Sequence, residues 1–194
     1  ILIAMGILYA RLNTPQESEH VDKIIQNPSP TTIEFTKVPS PQTLPNGWKL
    51  LWADEFDDVG ATLEKWTIED LVAQQNNELQ YYSTNNVKVA NGLLTLIAKE
   101  ESARGRNFTS GAVHTKNTFH FLYGKVEMKA KLPKGQGIFP AFWMMTNKEK
   151  TWLPEIDILE MLGQKPNEIW MVLHGLDENN EKKTAAIISY LNRF

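Results

Sequence analysis

The chain has 194 residues, 42% of them hydrophobic and 22% charged, so it can bury one well-packed domain and shows no overall bias toward disorder. Its formal net charge of −3, with no basic cluster, leaves no electrostatic footprint for nucleic acid or an anionic membrane, and a neutral or weakly charged partner is expected. Cysteine is absent, which excludes a disulfide framework and a thiolate metal site.

Residues 1–10, ILIAMGILYA, form an apolar run of signal-peptide length, too short to span a bilayer. The run reads as a clipped export signal or a clipped membrane anchor, with an ordinary buried strand or helix as the bland alternative. The first reading implies a secreted, extracellular product. Residues 11–45 are polar and carry Pro15, Pro28, Pro30, Pro39, Pro41 and Pro45, the composition of an extended tether. Residues 46–194 are expected to hold the folded domain, which begins near Gly47.

From there short strand-like runs alternate with turn signals, and no long amphipathic helix intervenes. WKLLWADEF and ELQYYS come first. VKVANGLLTLIAKE predicts two strands joined at Asn91-Gly92, a pair suited to the positive φ angles of a two-residue hairpin turn. SGAVHTK follows. In YGKVEMKAKLP, Gly124, Val126, Met128, Ala130 and Leu132 fall on one face and four charged residues on the other, which predicts a half-buried strand. FPAFWMM and EIWMVLH complete the set, and the close spacing predicts an all-β, two-sheet sandwich. TAAIISYLNRF ends the sequence with no closing turn after it. Sandwiches of this kind run to about 200–250 residues, so a domain that continues past Phe194 is expected.

PEIDILEMLG, Pro154 to Gly163, threads three carboxylates through large apolar residues. As a helix it would start on a proline and end on a glycine, but Glu155 would fall in the middle of the apolar face. As a regular strand, Glu155 and Asp157 share a face while Glu160 points into the core with Ile156 and Ile158. A β-bulge around Ile158-Leu159 returns Glu160 to the face of the other two acids. Glu155 and Glu160 are then about four strand steps, or roughly 13 Å, apart at their Cα atoms. Two Glu side chains leaning together bring the carboxyls to on the order of 5–6 Å, the separation that retaining glycosidases use. Asp157 between them would help hold their ionisation states apart.

With EIDILE as a bulged E-x-D-x-x-E signature, and with WADEF, NNELQYYS, SGAVHTK, YGKVEMKAKLPKGQGIFPAFWMM and PNEIWMVLHG in order, the stretch from Gly47 to Gly175 resembles glycoside hydrolase family 16, the laminarinase and lichenase type of β-glucanase. The resemblance implies a β-jelly-roll with a cleft across its concave sheet and hydrolysis with retention through a covalent glycosyl-enzyme. It implies Glu155 as nucleophile, Asp157 as the assisting acid and Glu160 as general acid/base. The implied partner is a β-1,3- or mixed β-1,3-1,4-glucan, bound by a monomer whose catalytic domain does not insert in a membrane.

Glucan clefts need aromatic platforms, and six Trp and five Tyr are available, most of which in any sandwich are core. Strand alternation separates Trp143 from Phe142, and the family pattern places Trp143 in the cleft. Trp152 resembles the aromatic beside the cleaved sugar. Asn77 matches a polar sugar contact, against the ordinary reading of a turn residue. His174 matches a histidine on the adjacent strand near the carboxylates. Glu55 in WADEF looks like part of the family's structural N-terminal strand, near a calcium site that many members carry; without a D-x-D-x-D-G loop no metal is assigned, no cofactor is required, and a structural calcium stays open. Many relatives have Arg after the Ser-Gly of SGAVHTK, where this chain has Ala112 and Val113. The alternatives on the same fold are a non-catalytic glucan-binding module and a transglycosylase.

Overall fold

A computed structural model describes residues 48–148 and 150–191. The expected export signal and the proline-rich tether lie outside the described residues. Past Trp48 a short helix, α1 (Val59–Lys65), precedes β1 (Thr67–Ile68), β2 (Leu71–Val72), β3 (Gln80–Tyr82), β4 (Val87–Ala90), β5 (Leu93–Leu96), β6 (Lys99–Ala103), β7 (Arg106–Ser110) and β8 (Val113–His114). Then come β9 (Ala141–Met145), β10 (Glu155–Glu160), β11 (Glu168–Leu176) and β12 (Lys182–Tyr190). Two four-stranded sheets result, β2-β3-β7-β6 and β12-β11-β10-β9, with β1-β8 and β4-β5 as separate pairs. The class is all-β, as expected.

Local chemistry explains several of these elements. Asn91 and Gly92 take φ of 54° and 71°, both positive as a type I′ turn requires, and join β4 to β5 in the predicted hairpin. α1 starts because Asp58 Oδ1 accepts from Ala61 N–H at 3.1 Å, a side-chain N-cap that satisfies one of the otherwise orphaned donors. Asp54 fixes that helix to the chain before it: Oδ1 accepts from Phe56 N–H and Thr62 Oγ1 at 3.1 Å each, and Oδ2 from Trp66 Nε1 at 3.0 Å. Around this knot Phe56, Trp66, Leu94 and Leu96 form a buried core.

Two predicted strands are not strands. WKLLWADEF makes no ladder beyond a single bridge at Lys49, because its residues serve the Asp54 knot and the Phe56–Trp66 core instead. YGKVEMKAKLP likewise makes no ladder. Its alternation still sorts the chain: Met128 and Ala130 pack on the first core and, with Leu132, line a hollow against Leu159, Ile169 and Met171 of the β9–β12 sheet. Apolar alternation specifies a buried face, whereas strand pairing also needs a neighbour's backbone.

Candidate active site

The β9–β12 sheet carries the acids, and its register shows why they share a face. Glu155, Ile156 and Asp157 pair with Met145, Met144 and Trp143 of β9; Leu159 then pairs with Phe142, so one residue, Ile158, is extra. On the other side Asp157 pairs with Val172 but Glu160 with Trp170, the same one-residue shift. The predicted bulge is present, and it brings Glu160 back to the face of Glu155 and Asp157. Directly opposed residues of a ladder lie on the same face. One row therefore runs Met145, Glu155, His174, Thr184; the next Trp143, Asp157, Val172, Ala186; the third Ala141, Glu160, Trp170, Ile188.

Glu160 is held from beyond the strand as well. Met161 N–H donates to Pro140 O at 3.1 Å, Gly163 N–H to Ile138 O at 2.7 Å, and Gly135 N–H to Gly163 O at 3.0 Å. A Cβ on Gly163 would collide with Gly135 O and come within 2.9 Å of the Ile138 Cβ, so this strap closes tightly only over glycine.

Asp157 is 3% exposed, flanked by Trp143 and Val172. Its Oδ2 is buried without an aligned hydrogen bond, and His174 Nε2 stands 3.3 Å from it. Burial, then the Asp157 carboxylate, pushes Glu155 up to about 6, against the opposing pull of His174. Burial and Asp157 also raise Glu160, again opposed by His174. Protons leave such a set in steps that belong to the cluster rather than to one carboxyl. The arrangement can keep one carboxylate ionised for attack while another retains a proton.

Of the residues singled out from the sequence, the structure brings together Glu155, Asp157, Glu160, Trp143, Trp152 and His174. Trp143 is 48% exposed beside Asp157, and Trp152, 38% exposed, sets its ring edge-on to His174 with centroids 5.5 Å apart. Asn77 is an exposed residue with φ of 55° in the turn before β3. Glu55 stands before α1, with Oε1 buried and unpartnered and its pKa raised by burial, Asp57 and Asp54. Asp54 is committed to N–H and O–H donors, and among the described residues no group of three or more His, Asp or Glu could hold a metal ion.

Three neighbours were not legible as site residues. Trp170 pairs with Glu160 and buries its Nε1 without a partner. Thr184 bonds His174 Nδ1 at 2.8 Å, and Lys182 Nζ lies 5.2 Å above the Trp152 ring. Only the register of β12 on β11, invisible in the sequence alone, could have found the last two.

The family model for glycosyl hydrolases family 16 matches residues 74–190. A beta-glucanase of Rhodothermus marinus is 36% identical over 138 residues, spanning 66% of this chain and 48% of its own length. The solved laminarinase from Rhodothermus marinus superposes with a TM-score of 0.62 at 30% identity, over 79% of this chain and 64% of its own. A structure from work on endo-acting O-glycanases of the human gut microbiota that initiate mucin breakdown gives 0.66 at 29% identity, over 78% and 62%. The chain thus spans about half the length of the curated relative, and it shares with these structures the all-β sandwich.

Proposed function

The chain belongs to glycosyl hydrolase family 16, and from that premise we propose that it is an endo-acting hydrolase of β-1,3- or mixed β-1,3-1,4-glucan working with retention of configuration. The observation that carries the reading is the bulge at Ile158, which sets three carboxylates on one face of β10 beside an exposed tryptophan. The names of the beta-glucanase and laminarinase relatives support the substrate class. The opening apolar run supports export to where such polymers lie.

In the proposed mechanism Glu155, as the carboxylate, attacks the anomeric carbon while Glu160 gives its proton to the departing glycosidic oxygen. The bond to the leaving sugar breaks as the Glu155 ester forms. Glu160, now ionised, takes a proton from water, whose oxygen attacks the same carbon and releases Glu155 as carboxylate. Two inversions give net retention. Asp157, buried between them and close to His174, sets the field in which these protons move. Trp143 offers a flat apolar surface for a sugar C–H face.

The test is release of new reducing ends by the chain from laminarin, mixed-linkage glucan and mucin O-glycan, with Glu155→Ala as blank. Activity on either glucan above the blank is expected. Activity on mucin O-glycan alone would move the substrate to that of the gut O-glycanase structure, and a Glu155→Ala chain as active as the parent would overturn the catalytic assignment. Glu160→Ala should lose on the order of 10²–10⁴-fold with poor leaving groups, and with an activated aryl glycoside, whose departure needs no acid, azide should speed turnover by taking the sugar from Glu155 as a β-glycosyl azide.

A further inference from the structure

We propose that Thr184 is a positioning residue for the acid cluster: its hydroxyl anchors the His174 ring at Nδ1 and so keeps the Nε2–H, which the acceptor-only carboxylate of Asp157 demands, aimed at that buried oxygen. The inference rests on the reading of that cluster as the reacting site, and it concerns a residue on the strand beyond His174.

The geometry runs in one row across three strands. Glu155 of β10 pairs with His174 of β11, and His174 with Thr184 of β12. The His174 ring uses both nitrogens: Nδ1 is 2.8 Å from Thr184 Oγ1, and Nε2 is 3.3 Å from Asp157 Oδ2. A neutral imidazole has one N–H and one lone pair, and the partner of the first nitrogen decides what the second presents. With the proton on Nδ1, the Nε2 lone pair would face a carboxylate oxygen that is buried and has no other partner. With the proton on Nε2, that oxygen gains its donor, and Nδ1 needs a donor in turn. The Thr184 hydroxyl supplies one. When His174 is protonated the same hydroxyl accepts from Nδ1–H, so Thr184 serves both charge states while the ring stays in place.

Thr184 is itself well placed to be stiff. It is β-branched, which restricts χ1, and it sits within a nine-pair ladder between β11 and β12. That hairpin is closed by Asp177, whose N–H donates to Glu181 O at 2.9 Å and whose Oδ1 accepts from Asn179 and Glu181 N–H at 2.8 and 2.9 Å. Trp152, edge-on to His174, limits the ring's swing on the open side. The charged groups around His174 are Glu155, Asp157 and Glu160 from β10, Lys182 through Trp152, and Lys183, which lines a hollow with His174. β9 contributes uncharged Met145 opposite Glu155. None of these bonds Nδ1, which Thr184 takes.

The experiment compares the full chain with Thr184→Val, which keeps shape and β-propensity, and Thr184→Ser, which keeps the hydroxyl. Long-range proton–nitrogen NMR of the ring, assigned with His174→Gln, reads the tautomer whether or not the chain turns over substrate. The parent and Thr184→Ser should show His174 as the Nε2–H tautomer, and Thr184→Val should show a mixture. The acid limb of kcat/KM on laminarin should move to higher pH in Thr184→Val, with threefold to tenfold more activity lost at pH 5 than at pH 7, and return in Thr184→Ser. A single Nε2–H tautomer in Thr184→Val overturns the proposal. Should all three chains be inactive, the mechanism in which Glu155 and Glu160 act would fail while the tautomer still decides the role of Thr184.

Discussion

Asp157 Oδ2 and His174 Nε2 stand 3.3 Å apart across the β10–β11 ladder, a cation-capable group against an otherwise unpartnered buried oxygen. The same histidine opposes the upward shift of both Glu155 and Glu160. His174→Gln should therefore raise both glutamates further, and the acid limb of kcat/KM should climb by on the order of one pH unit. A pH profile that stays put would show that the Asp157 field is set elsewhere.

Glu155 carries a linked prediction about stability. Its carboxyl is raised from 4.5 to about 6 in the folded chain, so between those values the native state binds more protons than the unfolded state. Stability conferred by that proton is complete below about pH 4.5 and is lost as pH rises through about 6. Glu155→Gln removes the charge and with it the loss. The variant should melt on the order of 2 °C above the parent at pH 8, solvent screening keeping the gain small, and the gap should close toward pH 4. Equal melting temperatures at pH 8 would count against a strained carboxylate.

Trp143, beside Asp157 and 48% exposed, is expected to take a sugar face. Aromatic contacts are worth about 0.5–1.5 kcal/mol beyond area, so Trp143→Ala should raise KM for laminarin roughly twofold to tenfold with a smaller change in kcat. A fall in kcat alone would place the ring in support of Asp157 rather than in binding.

The acid strand was legible because its pattern fits neither periodicity until one residue is added, and that misfit is itself the signal of a bulge. The hairpin at Asn91-Gly92 was legible because only a few residue pairs accept two positive φ angles in succession. YGKVEMKAKLP misled because alternation records which side is buried and is silent on whether a neighbouring backbone lies within reach. α1 was missed because seven residues are too short for a helical period to show, and its capping by Asp58 is a single-residue cue. The outer part of the site, Lys182 and Thr184, depends on a cross-strand register set by the Asp177 turn, and no property of TAAIISY announces which residue will face His174.

Asp54 tests the frame rather than the site. At 5% exposure it receives Phe56 N–H, the Thr62 hydroxyl and the Trp66 indole, with Lys65 Nζ 3.5 Å from Oδ1. Asp54→Ala strands those donors in a closed core. Loss of about 3–5 kcal/mol is expected, read as a lower urea midpoint with the slope unchanged. A shift under about 1 kcal/mol would mean that water or a rearranged neighbour satisfies them.

Gly163 separates the position of Glu160 from the integrity of the sheet. The strap Gly135–Gly163–Ile138 holds the chain three residues beyond Glu160, and a methyl on Gly163 has no room against Gly135 O. Gly163→Ala must push the strap away, and the displacement is transmitted along a short, hydrogen-bonded stretch to the bulge. Because misplacing a catalytic group by about 1 Å costs on the order of 10²-fold, kcat should fall by that much while the melting temperature drops only as far as a local overpacking of about 1–3 kcal/mol allows. Azide discriminates the causes: rescue in Glu160→Ala but not in Gly163→Ala would show a displaced acid still occupying the site. Full activity in Gly163→Ala would show that the bulge fixes Glu160 without the strap.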